Sequence, residues 1–149
     1  MSLQSKVMEQ MKIAMKAKDS VALESLRAIK SALLLAQTET GSGTGISEEE
    51  EVKLVQKLVK QRKDSAAIFS EQGREDLAEP ELKQVAVIEQ FLPEQLTEEE
   101  VEKVVVQTIE SIGASGMKDM GKVMGMVSKE LSGQTDGKTI STIVKKILS

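Results

Sequence analysis

This chain of 149 residues has no cysteine, no histidine, no tryptophan and no tyrosine, and only two phenylalanines, Phe69 and Phe91. Each absence removes a class of function. Without cysteine there are no disulfides, no thiolate zinc sites and no cysteine nucleophile. Without histidine the usual general base and the commonest metal ligand are missing. Catalysis would have to rest on Asp, Glu, Lys, Ser or Thr alone. A core so poor in aromatics must be built from Leu, Ile, Val, Met and Ala, which suits helix bundles rather than sandwiches or barrels. No apolar run approaches the roughly 18 residues of a membrane span, and residues 1–10 carry no signal-peptide core. The expectation is a soluble, cytoplasmic protein with no membrane partner.

Acidic residues outnumber basic ones, 24 to 20, but not evenly along the chain. The formal net charge is −4, which argues against wholesale non-specific binding of nucleic acid. Much of the acid sits in Glu48–Glu51 and Glu98–Glu100, both at expected helix starts. From Ser111 onward the balance reverses: Lys118, Lys122, Lys129, Lys138, Lys145 and Lys146 face only Asp119, Glu130 and Asp136. The tail is locally basic on an acidic protein.

What is present is helical periodicity from end to end. Leu3, Val7, Met11, Ala14 and Met15 share a face of a first helix. Asp19 is placed to cap a second, with Ala22, Leu26, Ile29, Leu33 and Ala36 inward. Thr40-Gly-Ser-Gly-Thr-Gly-Ile46 is a glycine-rich break, without the lysine and hydroxyl that a phosphate loop requires. Ser47 and Glu50 form a capping box for a third helix. Its stripe is Val52, Val55, Leu58, Val59, Ala66 and Phe69. Arg62 falls inside that stripe and calls for a partner, Glu79 or Glu89 being in reach; a positioned cation at a cleft is the other reading. A fourth helix follows Gly73 with Pro80 in its first turn, Leu82, Val85, Ile88 and Leu92 inward, and Pro93 as its stop.

Residues 92–97 read as a boundary. Thr97 and Glu100 repeat the capping box, and Val101, Val104, Val105, Thr108 and Ile112 run down a fifth helix to Gly113. A last helix, capped by Asp136 or Thr139, turns Ile140, Ile143, Val144, Ile147 and Leu148 inward. No strand pattern appears. The fold expected is all-α: a four-helix N-terminal bundle over 1–93, then a three-helix C-terminal bundle over 97–149.

Between those last helices lies Ser115-Gly-Met-Lys-Asp-Met-Gly-Lys-Val-Met-Gly125. At 100° per residue, Met117, Met120, Val123, Met124, Val127 and Leu131 form an apolar stripe. Lys118, Lys122 and Lys129 lie opposite, with Gly121 and Gly125 among them. A glycine inside a helix costs about 1 kcal/mol relative to alanine, so two of them four residues apart call for a reason. Either a backbone or phosphate approaches a flat basic strip closely, or another helix of the chain crosses over the glycines.

Three segments carry a family resemblance: Gln72-Gly-Arg-Glu-Asp-Leu77, Phe91-Leu-Pro-Glu-Gln-Leu96, and Gly113-Ala-Ser-Gly-Met-Lys-Asp-Met-Gly-Lys-Val-Met-Gly125. With Ser132-Gly-Gln-Thr-Asp-Gly137 and Val144-Lys145, they resemble the YqeY family over essentially the whole chain. That family is similar to the C-terminal tail of GatB, the tRNA-contacting subunit of the glutamine-dependent amidotransferase. The resemblance implies a four-helix and a three-helix bundle, association with a carbon–nitrogen ligase, and tRNA and amidotransferase subunits as partners. Carried over by position, Lys118, Gly121, Lys122 and Gly125 fall on the tail's characteristic helix; Lys129 extends that face. One departure is Gln134-Thr135, where the family often has a basic residue and alanine. Nothing in the chain resembles the amidase nucleophile or a cluster of metal ligands. The residues themselves therefore point to no catalytic group, no cofactor, no metal and no small-molecule substrate. A non-catalytic adaptor that binds protein through the methionine-rich helix is the alternative.

Overall fold

A computed structural model describes residues 2–41 and 45–149, the side chain of Thr40 excepted. Within these residues the chain is all-α. Four helices, α1 (Leu3–Ala17), α2 (Ser20–Thr40), α3 (Glu48–Glu71) and α4 (Glu75–Glu89), lie in one compact unit, Met1–Leu92. Three more, α5 (Glu98–Ile112), α6 (Met120–Glu130) and α7 (Gly137–Leu148), lie in a second, Pro93–Ser149, with a single 3₁₀ turn at Met117–Asp119 ahead of α6. Residues 42–44 of the glycine-rich break lie outside the described residues.

Local chemistry sets most helix ends. Asp19 Oδ1 accepts from the Ala22 N–H at 3.0 Å, and Asp136 Oδ1 from the Thr139 N–H at 2.7 Å. Both capping boxes form: Ser47 with Glu50, and Thr97 with Glu100. Gly113 closes α5 in the left-handed region at φ 68°. Between α1 and α2 only Lys18 and Asp19 intervene, and Lys18 takes φ 56° to make that short link.

In the first unit α3 packs on α4, α1 on α2, and α2 on α4. Their shared core holds Leu3, Val7, Ala14, Leu26, Ile29, Leu33, Val55, Val59, Val85 and Ile88. In the second unit α7 packs on both α5 and α6 around Val101, Val105, Val123, Val127, Leu131, Ile140 and Val144. Burial of each large aliphatic is worth about 1.5–3 kcal/mol, so two clusters of branched aliphatics do the work that aromatics do elsewhere.

Several expectations are corrected. α4 begins at Glu75, so Pro80 lies beyond the first turn, at the sixth residue, where no N–H exists to bond the Asp76 carbonyl. α4 opens without a side-chain cap; the Arg74 Nε and Nη2 donate to Asp76 Oδ1 and Oδ2, each at 3.0 Å, and this pair holds the Asp76 carboxyl below the usual carboxylate range. Leu82 is exposed, because Ala78, Val85 and Ile88 are the residues of α4 that face the core. Met15 is likewise exposed, at the rim of α1. Arg62 pairs with no acid: its Nε donates to Gln84 Oε1 at 2.8 Å and its Nη1 to the Leu58 carbonyl at 3.1 Å. Neutral acceptors satisfy a half-buried guanidinium here, while Glu89 takes Lys63 at 3.2 Å.

Residues 93–96 belong structurally to the second unit. Gln95 Nε2 donates to the Gly133 carbonyl at 2.7 Å and to the Pro93 carbonyl at 2.9 Å, and the Leu96 N–H donates to the Gln134 carbonyl at 2.9 Å. This clasp ties the lead-in of α5 to the turn between α6 and α7. It also accounts for Gln134, whose backbone and side chain (Nε2 to the Glu94 carbonyl, 3.5 Å) both engage the lead-in.

Candidate nucleic-acid interface

α6 starts where the 3₁₀ turn ends. Ahead of it Gly116 is fully extended, and the Asp119 N–H closes the turn on the Gly116 carbonyl at 3.0 Å. Met117, expected on the apolar stripe, is instead 44% exposed. A 3₁₀ turn has three residues per turn rather than 3.6, so the register fixed within α6 does not extend back to it. From Met120 on, the periodicity holds: Val123 and Val127 are buried, and Met120 and Met124 pack on the same core.

The opposite face is open. Gly121, Lys122, Gly125 and Lys129 are all exposed, and Lys118 is exposed on the 3₁₀ turn. A Cβ built at Gly121 or at Gly125 would meet no atom within 4 Å. Within the second unit no helix of the described residues crosses these glycines, so packing inside that unit does not explain them. Neither glycine has a positive φ, so no backbone demand explains them either. What they leave is a stretch of bare helical backbone. Gly125 is three residues from Lys122 and four from Lys129, hence a surface neighbour of both. The two lysines are seven residues apart, about 10 Å along the axis. Among the described residues, none of Lys118, Lys122 and Lys129 has a carboxylate within salt-bridge distance.

The structure thus brings Gly121, Lys122, Gly125 and Lys129 onto one helix face, with Lys118 just before it. The remaining tail lysines are arranged differently. Lys138 and Lys146 line a groove of about 340 Å³ between α5 and α7, across from Glu98 and Glu102, with Thr139 and Thr142 between them. Among the described residues no carboxylate comes within salt-bridge distance of these lysines either; what sets the α6 face apart is the bare backbone beside its lysines. Met126, which the apolar stripe leaves out, is also 44% exposed, beside the lysines. One feature of the site carried no sequence signal: a bond from the Ser115 N–H to Asp119 Oδ2 at 3.0 Å, which closes the loop leading into the 3₁₀ turn. No group of three or more Asp, Glu, His or Cys able to hold a metal occurs among the described residues, and no helix there is long and apolar enough to cross a membrane.

Comparison with known proteins adds a second line of observation. A family model described as Yqey-like protein matches residues 4–148. One of the glutamyl-tRNA(Gln) amidotransferase subunits of Thermococcus gammatolerans is 42% identical over 82 residues, covering 52% of this chain but only 13% of that much longer protein. Altered inheritance of mitochondria protein 41, mitochondrial, is 28% identical in Pyrenophora tritici-repentis over 141 residues, 93% of this chain and 76% of that protein. The protein of that name in Clavispora lusitaniae is 31% identical over 134 residues, 88% of this chain and 75% of its own length.

Proposed function

Since the chain belongs to the YqeY family, we propose that it serves as an accessory tRNA-binding module of the amidotransferase pathway, acting in translation in the cytoplasm beside the subunits that do the chemistry. The observation that carries this reading is the open α6 face: two glycines with nothing within 4 Å, flanked by lysines that, among the described residues, form no salt bridge. Lysines neutralise phosphates, and bare backbone admits a phosphate chain closely. Similarity to part of a tRNA amidotransferase subunit supports the choice of ligand. With no tyrosine or tryptophan and both phenylalanines outside the second unit, stacking of single strands has no platform, so folded RNA bound by its shape fits best.

The test is a tRNA-binding titration at several salt concentrations. If about three to five phosphates are contacted, log affinity falls against log salt with a slope of about −3 to −4. Lys118→Ala, Lys122→Ala and Lys129→Ala should each lower that slope by about one without changing preference among tRNAs. A salt-independent affinity, or one indifferent to all three changes, would remove the reading.

The same proposal holds that the isolated chain releases no ammonia from glutamine, hydrolyses no ATP and transfers no amide. It has neither His nor Cys, and its sequence shows no recognisable nucleophile motif. Turnover by purified protein that a substitution in the chain itself abolishes would overturn this part. A second reading, docking of a protein partner on exposed methionines, is favoured by one observation: Met117 on the 3₁₀ turn and Met126 on α6 are both 44% exposed. Met126→Ser separates the two. Because Met126 makes no charge contact, its loss should leave the salt slope of tRNA binding unchanged while weakening a protein contact.

A further inference from the structure

We propose that Asp119 is a positioning residue for this face: its carboxylate holds the Ser115–Asp119 loop closed and so fixes where Lys118 stands relative to Lys122. The proposal rests on the reading of α6 as facing RNA. Asp119 occupies the cap position of α6 yet makes no side-chain bond to that helix. The aspartates that begin α2 and α7 behave otherwise, each accepting from an N–H three residues ahead. Asp119 reaches backward instead, its Oδ2 accepting from the Ser115 N–H at 3.0 Å, while its own N–H bonds to the Gly116 carbonyl at 3.0 Å. One residue therefore closes the loop twice, across an extended glycine that would otherwise leave the segment free to swing. The 3₁₀ turn that carries Lys118 lies inside this closure.

Electrostatics alone argues against an acid here. A carboxylate next to Lys118 and three residues before Lys122 opposes any phosphate that approaches them. Loop closure supplies the reason for its presence, and the two effects separate by substitution. Asn offers the same acceptor oxygen without the charge; Ala offers neither.

The experiment measures tRNA affinity across salt for the full chain, for Asp119→Asn and for Asp119→Ala, together with hydrogen exchange at the Ser115 amide. Asp119→Asn is expected to bind as tightly as the parent or tighter, with Ser115 still protected. Asp119→Ala, which loses the same charge, is expected to bind about three- to tenfold more weakly, its salt slope reduced by about one as Lys118 drops out, with Ser115 exchanging faster. Equal behaviour of the two variants, with binding that still depends on Lys122, overturns this proposal alone. Unchanged Ser115 exchange in Asp119→Ala does the same. Absence of Lys122-dependent binding in the parent chain overturns the RNA reading, and this proposal with it.

Discussion

Replacing Gly121 and Gly125 together with alanine is expected to make the protein harder to unfold while loosening its hold on tRNA. Gly125 lies in the interior of α6, where glycine costs up to about 1 kcal/mol relative to alanine, and Gly121 in its first turn costs less, so the pair should raise stability by about 1–2 kcal/mol. Nothing offsets that gain, because neither new methyl meets an atom within 4 Å and neither residue has a positive φ. Binding should move the other way, since one new methyl stands just before Lys122 and the other between Lys122 and Lys129, on the strip where a phosphate chain would lie. Urea unfolding and a tRNA titration on the same preparation settle it. Stabilisation with binding intact would mean the glycines have no part in recognition, and the lysines would then carry the reading alone.

The second expectation concerns the clasp at the start of the second unit. We expect a fragment of residues 93–149 to fold alone, and one of residues 97–149 to be less stable by about 2–4 kcal/mol, the sum of an unpaired acceptor and lost apolar burial. The shorter fragment strips the Gln95 amide from the Gly133 carbonyl and the Leu96 N–H from the Gln134 carbonyl. Gly133 is buried, and an acceptor left unpaired there costs about 1–3 kcal/mol. Leu96 also packs on the core of this unit, so its removal forfeits apolar burial as well. In the full chain Gln95→Ala should by itself cost about 1–3 kcal/mol. Equal melting temperatures for the two fragments would show the clasp to be incidental.

What could be read from the sequence was what a few adjacent residues decide. Ser47 with Glu50, Thr97 with Glu100, Asp19 and Gly113 act within one helical turn, and each does what its type and spacing imply. The outward placement of Lys122, Lys129 and the two glycines followed from α6 having one strongly apolar side. The misreadings share a different cause. Leu82 and Met15 lie at the margin of apolar stripes, where the rotation of a helix against its neighbours decides burial, and periodicity does not fix that rotation. Arg62 found an amide and a carbonyl rather than an acid because Gln84, not Glu79 or Glu89, stands opposite it. Met117 was lost to a 3₁₀ turn that leaves no mark in an apolar pattern. The bond from Gln95 to Gly133 joins residues 38 apart, beyond the reach of any local rule, and the Ser115–Asp119 closure reads in sequence only as one more acid in a basic tail.

The packing order of the helices also bears on how the protein is made. In the first unit the main partners include the neighbours α1 with α2 and α3 with α4; in the second, all three helices lie within residues 98–148. Such local pairings are rapid, with folding times for helical domains in the microsecond to millisecond range. Ribosomes add about 5–20 residues per second, so synthesis of the second unit lasts seconds. The first core is therefore expected to be complete before the second unit has emerged from the ribosome. Two aliphatic clusters so alike in composition, each rich in Val, Ile and Leu, need never be unfolded together. That timing guards them against exchanging helices more simply than any difference in side-chain shape could.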